Sequence, residues 1–469
     1  NMKNNIIFFD SEKWGFNGDF IPFYYEGIYH LYTIVDSSWE HITTKDFVHY
    51  EFHGVVLPHG NEDDQDFSCV CTGSVIKHNG IFHIFNAGCN LSFQGSKPIQ
   101  VVMHATSKDL YHWKKEDDLF MPPLETLYHR DGWRDPYVYY DETYKEFRML
   151  ITAQEKHYHS KRWGCIALAT SKDLIKWDIK EPLYNPYLYD TLECPDLFKK
   201  NNNWYLVFST YTRWWENHYR IAPTQNGPFT SFKDELLDNR SYYAAKTVSD
   251  GNRRFLVGWA ARRKDEKDSE KYEWGGTLVV HELFFKNTGE IMCYPVKEAV
   301  ASYSESISLD IKNGWGKGIL SVDDNIITLD SKDGFSVAKI ATTESEELYI
   351  SFDIEVKDNT CAGLLFRADI DKFDKWCSVE IDRKRDRLFF DHAKKWFEDQ
   401  YFDEQRPLDF LNNNKFHVEI LSHESLIVIY CNGKALSTRC YQFLNGEIGI
   451  FSRDGKAIFS NIIIKKNPK

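Results

Sequence analysis

The sequence predicts an all-β protein, a five-bladed β-propeller over residues 1–300 followed by a β-sandwich over residues 301–469. Three observations predict it: five hairpin-like segments that overlay on one another, a second repeat between them at nearly constant spacing, and a change to short, strictly alternating strands after about Ser302.

From about Asp19 to Ala261, apolar or aromatic runs pair across short Gly, Asn and Asp turns with almost no 3.6-residue period, which is how consecutive hairpins read. Five of these hairpins can be laid over one another: GDFIPFYYEGIYHLYTI from Gly18, CTGSVIKHNGIFHIFNAG from Cys71, WRDPYVYYDETYKEFRMLITA from Trp133, LECPDLFKKNNNWYLVFST from Leu192 and SYYAAKTVSDGNRRFLVGWAA from Ser241. Between them recur TTKDFVHYEF, ATSKDLYHWKKE and ATSKDLIKWDIK, whose Asp46, Asp109 and Asp173 are 63 and 64 positions apart. Self-similarity at this spacing means repeated units, and five four-stranded units arranged radially close into a propeller that leaves only short edges. In the Ser-Lys-Asp-Leu segments, Ser and Asp are read as turn caps and the following Trp or Tyr as packing between blades.

After Ser302 the strands LYISFDIEV, CAGLLFRA, WCSVEID, KFHVEIL, SLIVIYCNG and GEIGIFS alternate apolar and polar residues between regular turns, the pattern of two packed antiparallel sheets. A structural role is expected for this domain, with Trp376 and Trp396 packing its core or interface.

Net charge is −13, and no Lys/Arg-rich run offsets it, so nucleic acid and anionic membrane surfaces are excluded as partners and a neutral small molecule is favoured. Aromatic residues make up 16% of the chain, which permits sugar stacking but equally fills β cores. No run approaches the roughly 18 apolar residues of a membrane span, and the first residues lack a secretory layout. The ten cysteines form no CxxC pair and no close Cys/His quartet, which points to reduced thiols in a cytoplasmic protein. His157-x-His159 is read as solvated; no metal and no cofactor are expected. Oligomeric state is not legible.

Counting seven residues back from each hairpin turn gives a column of Asp19, Thr72, Asp135, Glu193 and Tyr242. Inner strands of propeller blades line the central channel, so three acids from different blades are expected to converge at one mouth. Like charges gathered in a partly dry pocket raise one another's pKa, a cost that points to use. Two carboxylates flanking a glycosidic bond suffice to hydrolyse it, one as proton donor and one as nucleophile or base, while a third can stabilise an oxocarbenium-like transition state. Arg134 is expected to keep Asp135 ionised, leaving Glu193, with no adjacent cation, as the group held protonated.

Trp133-Arg134-Asp135-Pro136 and Glu193-Cys194-Pro195-Asp196 resemble the paired RDP and EC motifs of glycoside hydrolase family 32, the invertases, inulinases and levanases. Thr72-Gly73-Ser74, the segment WEHITTKDFVHY from Trp39, and Tyr242-Tyr243-Ala244 with Gly258-Trp259 are similar to further segments of that family, in its order, over about residues 15–300. The resemblance implies a retaining mechanism through a covalent fructosyl-enzyme, with Asp19 as nucleophile, Asp135 as transition-state stabiliser and Glu193 as acid/base. It also implies sugar contacts from Trp39, Thr72, Arg134 and Trp259, to which the overlay adds Tyr242, and an appended sandwich. One segment departs from the family: in place of Asn-Asp-Pro-Asn-Gly stands Trp14-Gly-Phe-Asn-Gly-Asp19-Phe-Ile-Pro-Phe-Tyr, with Trp14 expected to replace part of the fructose pocket.

The expected substrate is therefore a small saccharide such as sucrose, its 6-phosphate, inulobiose or a short fructo-oligosaccharide. Two readings compete: an inverting arabinofuranosidase or xylosidase of the family 43 type, whose third acid sits in a Glu-Gly context, and a non-catalytic glycan-binding propeller, which has no need of a proton donor. A phosphorylated substrate would call on Arg213, Arg220, Arg262 and Arg263.

Overall fold

The computed structural model describes residues 17–157, 160–213, 215–357, 360–393, 404–410 and 413–468. Five antiparallel sheets succeed one another along the chain, each with its strands in sequence order. The first blade comprises β1 (Asn17–Tyr25), β2 (Ile28–Val35), β3 (Ser38–Thr44) and β4 (Tyr50–Leu57). The second comprises β5 (Cys69–His78), β6 (Ile81–Cys89), β7 (Gln100–Ser107) and β8 (Lys114–Met121), and the third β9 (Arg134–Asp141), β10 (Glu146–Gln154), β11 (Gly164–Ser171) and β12 (Asp178–Tyr184). The fourth has β13 (Glu193–Lys200), β14 (Asn203–Thr210) and β15 (Glu216–Ala222); the fifth has β16 (Tyr242–Ser249), β17 (Arg254–Arg263), β18 (Tyr272–Phe285) and β19 (Ile291–Pro295). The inner strands touch in rotation, β1 against β5, β5 against β9, β9 against β13, β13 against β16 and β16 against β1, which closes the propeller.

Blade four departs from the expected four strands. After β15 the chain makes only single bridges, Ile221 to Thr230 and His218 to Leu236. Pro223 and Pro228 lie in this segment, and a proline has no N–H to give to a ladder.

The interblade repeat is a turn cap. Asp109 Oδ1 accepts the N–H groups of Tyr111 and His112, Ser107 Oγ accepts that of Leu110, and the Trp113 indole donates to Leu110 O; Asp173, Ser171, Leu174 and Trp177 repeat the arrangement. Between blades two and three, Phe85, Trp133, Phe147, Met149 and Ile151 form one apolar cluster. Truncating a fully buried tryptophan such as Trp133 to alanine would cost about 3–5 kcal/mol.

By contact the chain divides into two compact units. One contains residues 1–236, 242–261 and 274–290; the other contains 291–469 together with the excursions 237–241 and 262–273. In the second unit, thirteen strands of the described residues, from β20 (Glu305–Ser306) to β32 (Gly446–Lys466), form one continuous antiparallel sheet folded into a sandwich. The two layers are joined because β32 serves both: Arg453 pairs with Cys361, whereas Ala457 pairs with Val356. The strand bends between them at Asp454 (φ 60°) and Gly455 (φ 158°). Leu364, Phe352, Ile420 and Ile450 lie in the core between the layers, and Trp376 packs against it. Trp396 lies outside the described residues.

Candidate active site

Each inner strand carries one extra residue near its start. The register slips between Gly18 and Ile21, Val70 and Gly73, Arg134 and Tyr137, Glu193 and Asp196, and Tyr243 and Lys246. Such bulges bend a strand and re-aim its side chains, and they gather beside active sites. In four blades the residue just inside the bulge has a left-handed backbone: Asp19 (φ 51°), Asp135 (φ 56°), Cys194 (φ 49°) and Ala244 (φ 54°). Left-handed geometry costs a residue with a Cβ of order 1–3 kcal/mol and persists only when its surroundings enforce it. Those braces are visible. Asn217 donates to Tyr242 O and accepts from Ala245 N at 2.9 Å, gripping the fifth bulge from blade four, and Asp135 Oδ2 accepts the Cys194 N–H at 3.0 Å.

The bulge brings the three acids together. Asp19 Oδ2 accepts a 2.5 Å hydrogen bond from Thr72 Oγ1, and Oδ1 accepts one of 3.0 Å from the Trp259 indole. Burial, reinforced by Asp135 and Glu193, outweighs these donors and pushes the Asp19 carboxyl up to about 7. Asp135 is raised as well, by burial against the opposing pull of Arg134 and with a further push from Glu193. Glu193 is held at both oxygens: Arg134 Nε and Nη2 each donate to Oε2 at 3.0 Å, and Tyr243 OH donates to Oε1 at 2.5 Å. Burial and Glu193 push the Tyr243 phenol well above its ordinary range, so it stays a donor.

Above these groups lies a pocket of about 210 Å³ lined by Asp19, Glu193, Cys194, Ala244 and the aromatic side chains of Tyr211, Trp215, Tyr243, Trp259 and Trp274. Tyr243 stacks on Trp259 at 5.6 Å between ring centroids, while Trp215 and Trp274 meet Trp259 edge-on at 5.3 and 5.9 Å. Gly18 makes room for this wall, because a Cβ there would fall 2.6 Å from the Trp274 ring. Aromatic walls with carboxylates at the base suit a sugar ring, whose C–H faces pack on aromatic faces while its hydroxyls meet charged acceptors.

Several expected residues take other places. Arg134 hydrogen-bonds Glu193, while its charge also pulls the Asp135 carboxyl down against burial. The expectation that Glu193 lacks a cation is thereby overturned. Tyr242 is fully buried, its hydroxyl donating to Val279 O and its ring against His281; Tyr243 holds the site position. Trp39 is also fully buried, donating to Cys71 O within the core of blades one and two, and is absent from the pocket lining. Thr72 acts on Asp19, with 1% of its surface exposed. Trp259 both lines the pocket and holds Asp19. Trp14 and His159 lie outside the described residues. Two of the four arginines named for a phosphate are engaged within their own units. Arg220 is buried against Tyr184 OH, Tyr189 OH and Glu235, and Arg263, in the other compact unit, is buried against Glu270 O. Trp215 and Trp274, which the sequence reading missed, lie in the segments TRWWENHY and KYEWGG, where no repeat marks them.

Residues 13–295 match the family described as Glycosyl hydrolases family 32 N-terminal domain. The chain belongs to glycosyl hydrolase family 32. It is a glycoside hydrolase. Among its relatives are a sucrose-6-phosphate hydrolase of Escherichia coli, 22% identical over 90% of this chain and 84% of that protein, and one of Zymomonas mobilis, 25% identical over 98% and 88%. Among solved structures, fructan 1-exohydrolase IIa from Cichorium intybus superposes with a TM-score of 0.71 at 18% identity, covering 97% of this chain and 96% of that one. Sucrose-6-phosphate hydrolase from Lactobacillus gasseri does so with a TM-score of 0.70 at 19% identity, covering 95% and 91%. These likenesses extend over both the propeller and the sandwich. Among the described residues, no helix is long and apolar enough to cross a membrane, and all ten cysteines are free thiols.

Proposed function

We propose that this chain is a retaining, cytoplasmic β-fructofuranosidase that removes a terminal fructosyl unit from sucrose or a short fructo-oligosaccharide such as inulobiose. One observation carries the reading: Asp19, Asp135 and Glu193, from three blades, share one site beneath a small aromatic pocket. Asp19 is the nucleophile. Its oxygens are fixed by two neutral donors, so its charge is uncompensated, and a carboxylate with a raised pKa is the stronger base and nucleophile once ionised. Glu193 is the acid/base, its second-stage anion stabilised by Arg134 and Tyr243 as it activates water. Asp135, buried beside them, supports the oxocarbenium-like ring electrostatically and holds the blade-four bulge. Trp259, Trp215 and Trp274 form the walls for the sugar.

The Arg134–Glu193 pair favours a second reading in which Glu193 stays ionised as nucleophile and Asp19, raised to about 7, is the proton donor. Fructose release from sucrose, sucrose 6-phosphate, inulobiose, levanbiose and aryl arabinofuranosides, with Asp19→Ala and Glu193→Ala in parallel, tests the class. Both variants are expected to lose about 10⁴-fold or more in kcat. Azide separates the roles: rescue of Glu193→Ala with formation of a β-fructosyl azide marks Glu193 as acid/base, whereas the same product from Asp19→Ala reverses the assignment. Activity confined to arabinofuranosides, or sugar binding without turnover, overturns the fructosidase reading.

A further inference from the structure

The second compact unit gathers a set of metal-ligating groups that the reaction does not use. Asp268 in the segment 262–273, His392 at the end of β27 (Arg387–His392) and Cys440 just after β31 (Lys434–Arg439) have ligating atoms that all lie within 4.8 Å of one another. All three are buried, with 3%, 4% and 0% of their surface exposed. Cys377 on β26 (Lys375–Asp382) is the register partner of His392 and is equally buried.

We propose that Asp268, His392 and Cys440, with Cys377 as fourth ligand, form a binding site for a divalent metal ion of borderline softness, zinc before others. A mixed set of thiolate, imidazole and carboxylate donors is the set such an ion selects. Ligands at zinc's usual bond lengths of about 2.0–2.3 Å in a tetrahedron stand about 3.3–3.8 Å apart. Cys440 Sγ lies 3.9 Å from Asp268 Oδ2.

The groups around the cluster hold its members in ligating orientation. His392 Nδ1 lies 2.9 Å from Ala393 O, a contact that places the proton on Nδ1 and the lone pair on Nε2. Asp268 Oδ1 accepts the Tyr441 N–H at 2.9 Å and Oδ2 accepts the Gln442 N–H at 3.1 Å, which fixes the carboxylate plane. Arg367, whose Nη1 donates to Cys440 O and Phe443 O, supplies a positive charge; with a divalent ion it balances two thiolates and one carboxylate. Binding deprotonates the two thiols and releases their protons to solvent.

The competing explanation makes Asp268 a loop anchor through its two amide bonds, which accounts for the aspartate but not for a histidine and two thiols around it. A second trio, Cys361, Glu380 and Asp382, with Glu380 half-buried, differs in that Arg385 and Arg453 already match its charge.

The test uses the full chain, stripped with a chelator, dialysed and titrated with zinc chloride or, separately, cobalt(II) chloride. About one equivalent of zinc is expected to be retained, with a rise in Tm, and cobalt is expected to give thiolate charge-transfer and tetrahedral ligand-field absorption. Cys440→Ser and Asp268→Asn lose both signals, while Asp19→Ala keeps them. If Cys440→Ser does not fold, the cobalt spectrum of the unmodified chain decides. A folded protein that retains no zinc and shows no cobalt–thiolate band overturns the proposal, as does equal zinc binding by both variants; either outcome leaves Asp268 a loop anchor only.

Discussion

Blades one and three present their working side chain at the bulged residue itself, whereas blades four and five present it one residue earlier. Asp19 and Asp135 have left-handed backbones, while in blade four Cys194 takes that conformation and Glu193 precedes it, and in blade five Ala244 takes it and Tyr243 precedes it. The difference follows from reach. A short aspartate arrives at the site when the bulge itself turns inward, whereas a longer glutamate or tyrosine reaches it from the preceding position. Blade two has the bulge without the left-handed residue, and its contribution is Thr72, one position later, acting on Asp19. The site is thus specified by the bulge, and the distance to the hairpin turn is incidental.

The adjacent tyrosines of blade five test this most severely. Tyr243→Phe removes the short hydrogen bond to Glu193, and a bond to a charged group is worth about 1.5–3 kcal/mol, so kcat should fall about 10–100-fold with Tm little changed. Tyr242→Phe removes the bond to Val279 O and leaves Arg134 and Tyr243 in place on Glu193, so kcat should stay close to the parent value and Tm should fall slightly. Steady-state kinetics and melting curves of the pair check it; the reverse pattern would make the count from the turn the right register and the bulge irrelevant.

That contrast also shows what could be read before the structure. The hairpin repeats and the turn caps were legible because each depends on residues close in sequence, and the acids stood out through Asp135-Pro136 and Glu193-Cys194-Pro195. The register of side chains was not. The inner strand runs from Gly73 to His78 after the bulge in blade two but only from Lys246 to Ser249 in blade five, with turns of different length after each. Counting back from the turn therefore lands one residue off, at Tyr242. The Arg134–Glu193 pair, the Trp215 and Trp274 walls, and the grouping of Asp268, His392 and Cys440 join residues far apart in the chain, which no local spacing marks. The fused sheet of the sandwich was missed because Arg453-Asp454-Gly455 reads as a turn that ends a strand, whereas β32 runs on through it.

Blade one differs from blade four in charge compensation, since Asp19 has only neutral donors and Glu193 has Arg134. In the unfolded chain Asp19 titrates near 4, as an ordinary aspartate does, and in the fold near 7. Between those values the folded chain keeps a proton that the unfolded chain has lost, so this group's contribution to stability is complete below about pH 4, declines as pH rises, and is level above about 7. Asp19→Asn abolishes that dependence. Its stability relative to the parent should therefore improve from pH 4 to pH 8, on the order of 2–4 kcal/mol, as chemical denaturation at several pH values would show. A pH-independent difference would mean that Asp19 is ionised throughout.

The smallest effect is expected from Thr72, whose hydroxyl reaches Asp19. Its hydroxyl donates to the Asp19 carboxylate and so favours the charged form; it is one of the two donors that hold the pKa down against burial. Thr72→Val keeps the shape and removes the donor, so the Asp19 pKa should rise further. If ionised Asp19 is the nucleophile, the acidic limb of kcat/KM, near pH 7 in the parent, should move to higher pH by about one unit or less, with activity at pH 8 and above little affected. The sign distinguishes the two assignments of the acids. Were Asp19 the proton donor, the same rise would extend activity on the alkaline side and leave the acidic limb in place. A pH profile of this one variant thus asks whether blade one, with its uncompensated charge, supplies the nucleophile and blade four, with its paired charge, the acid/base.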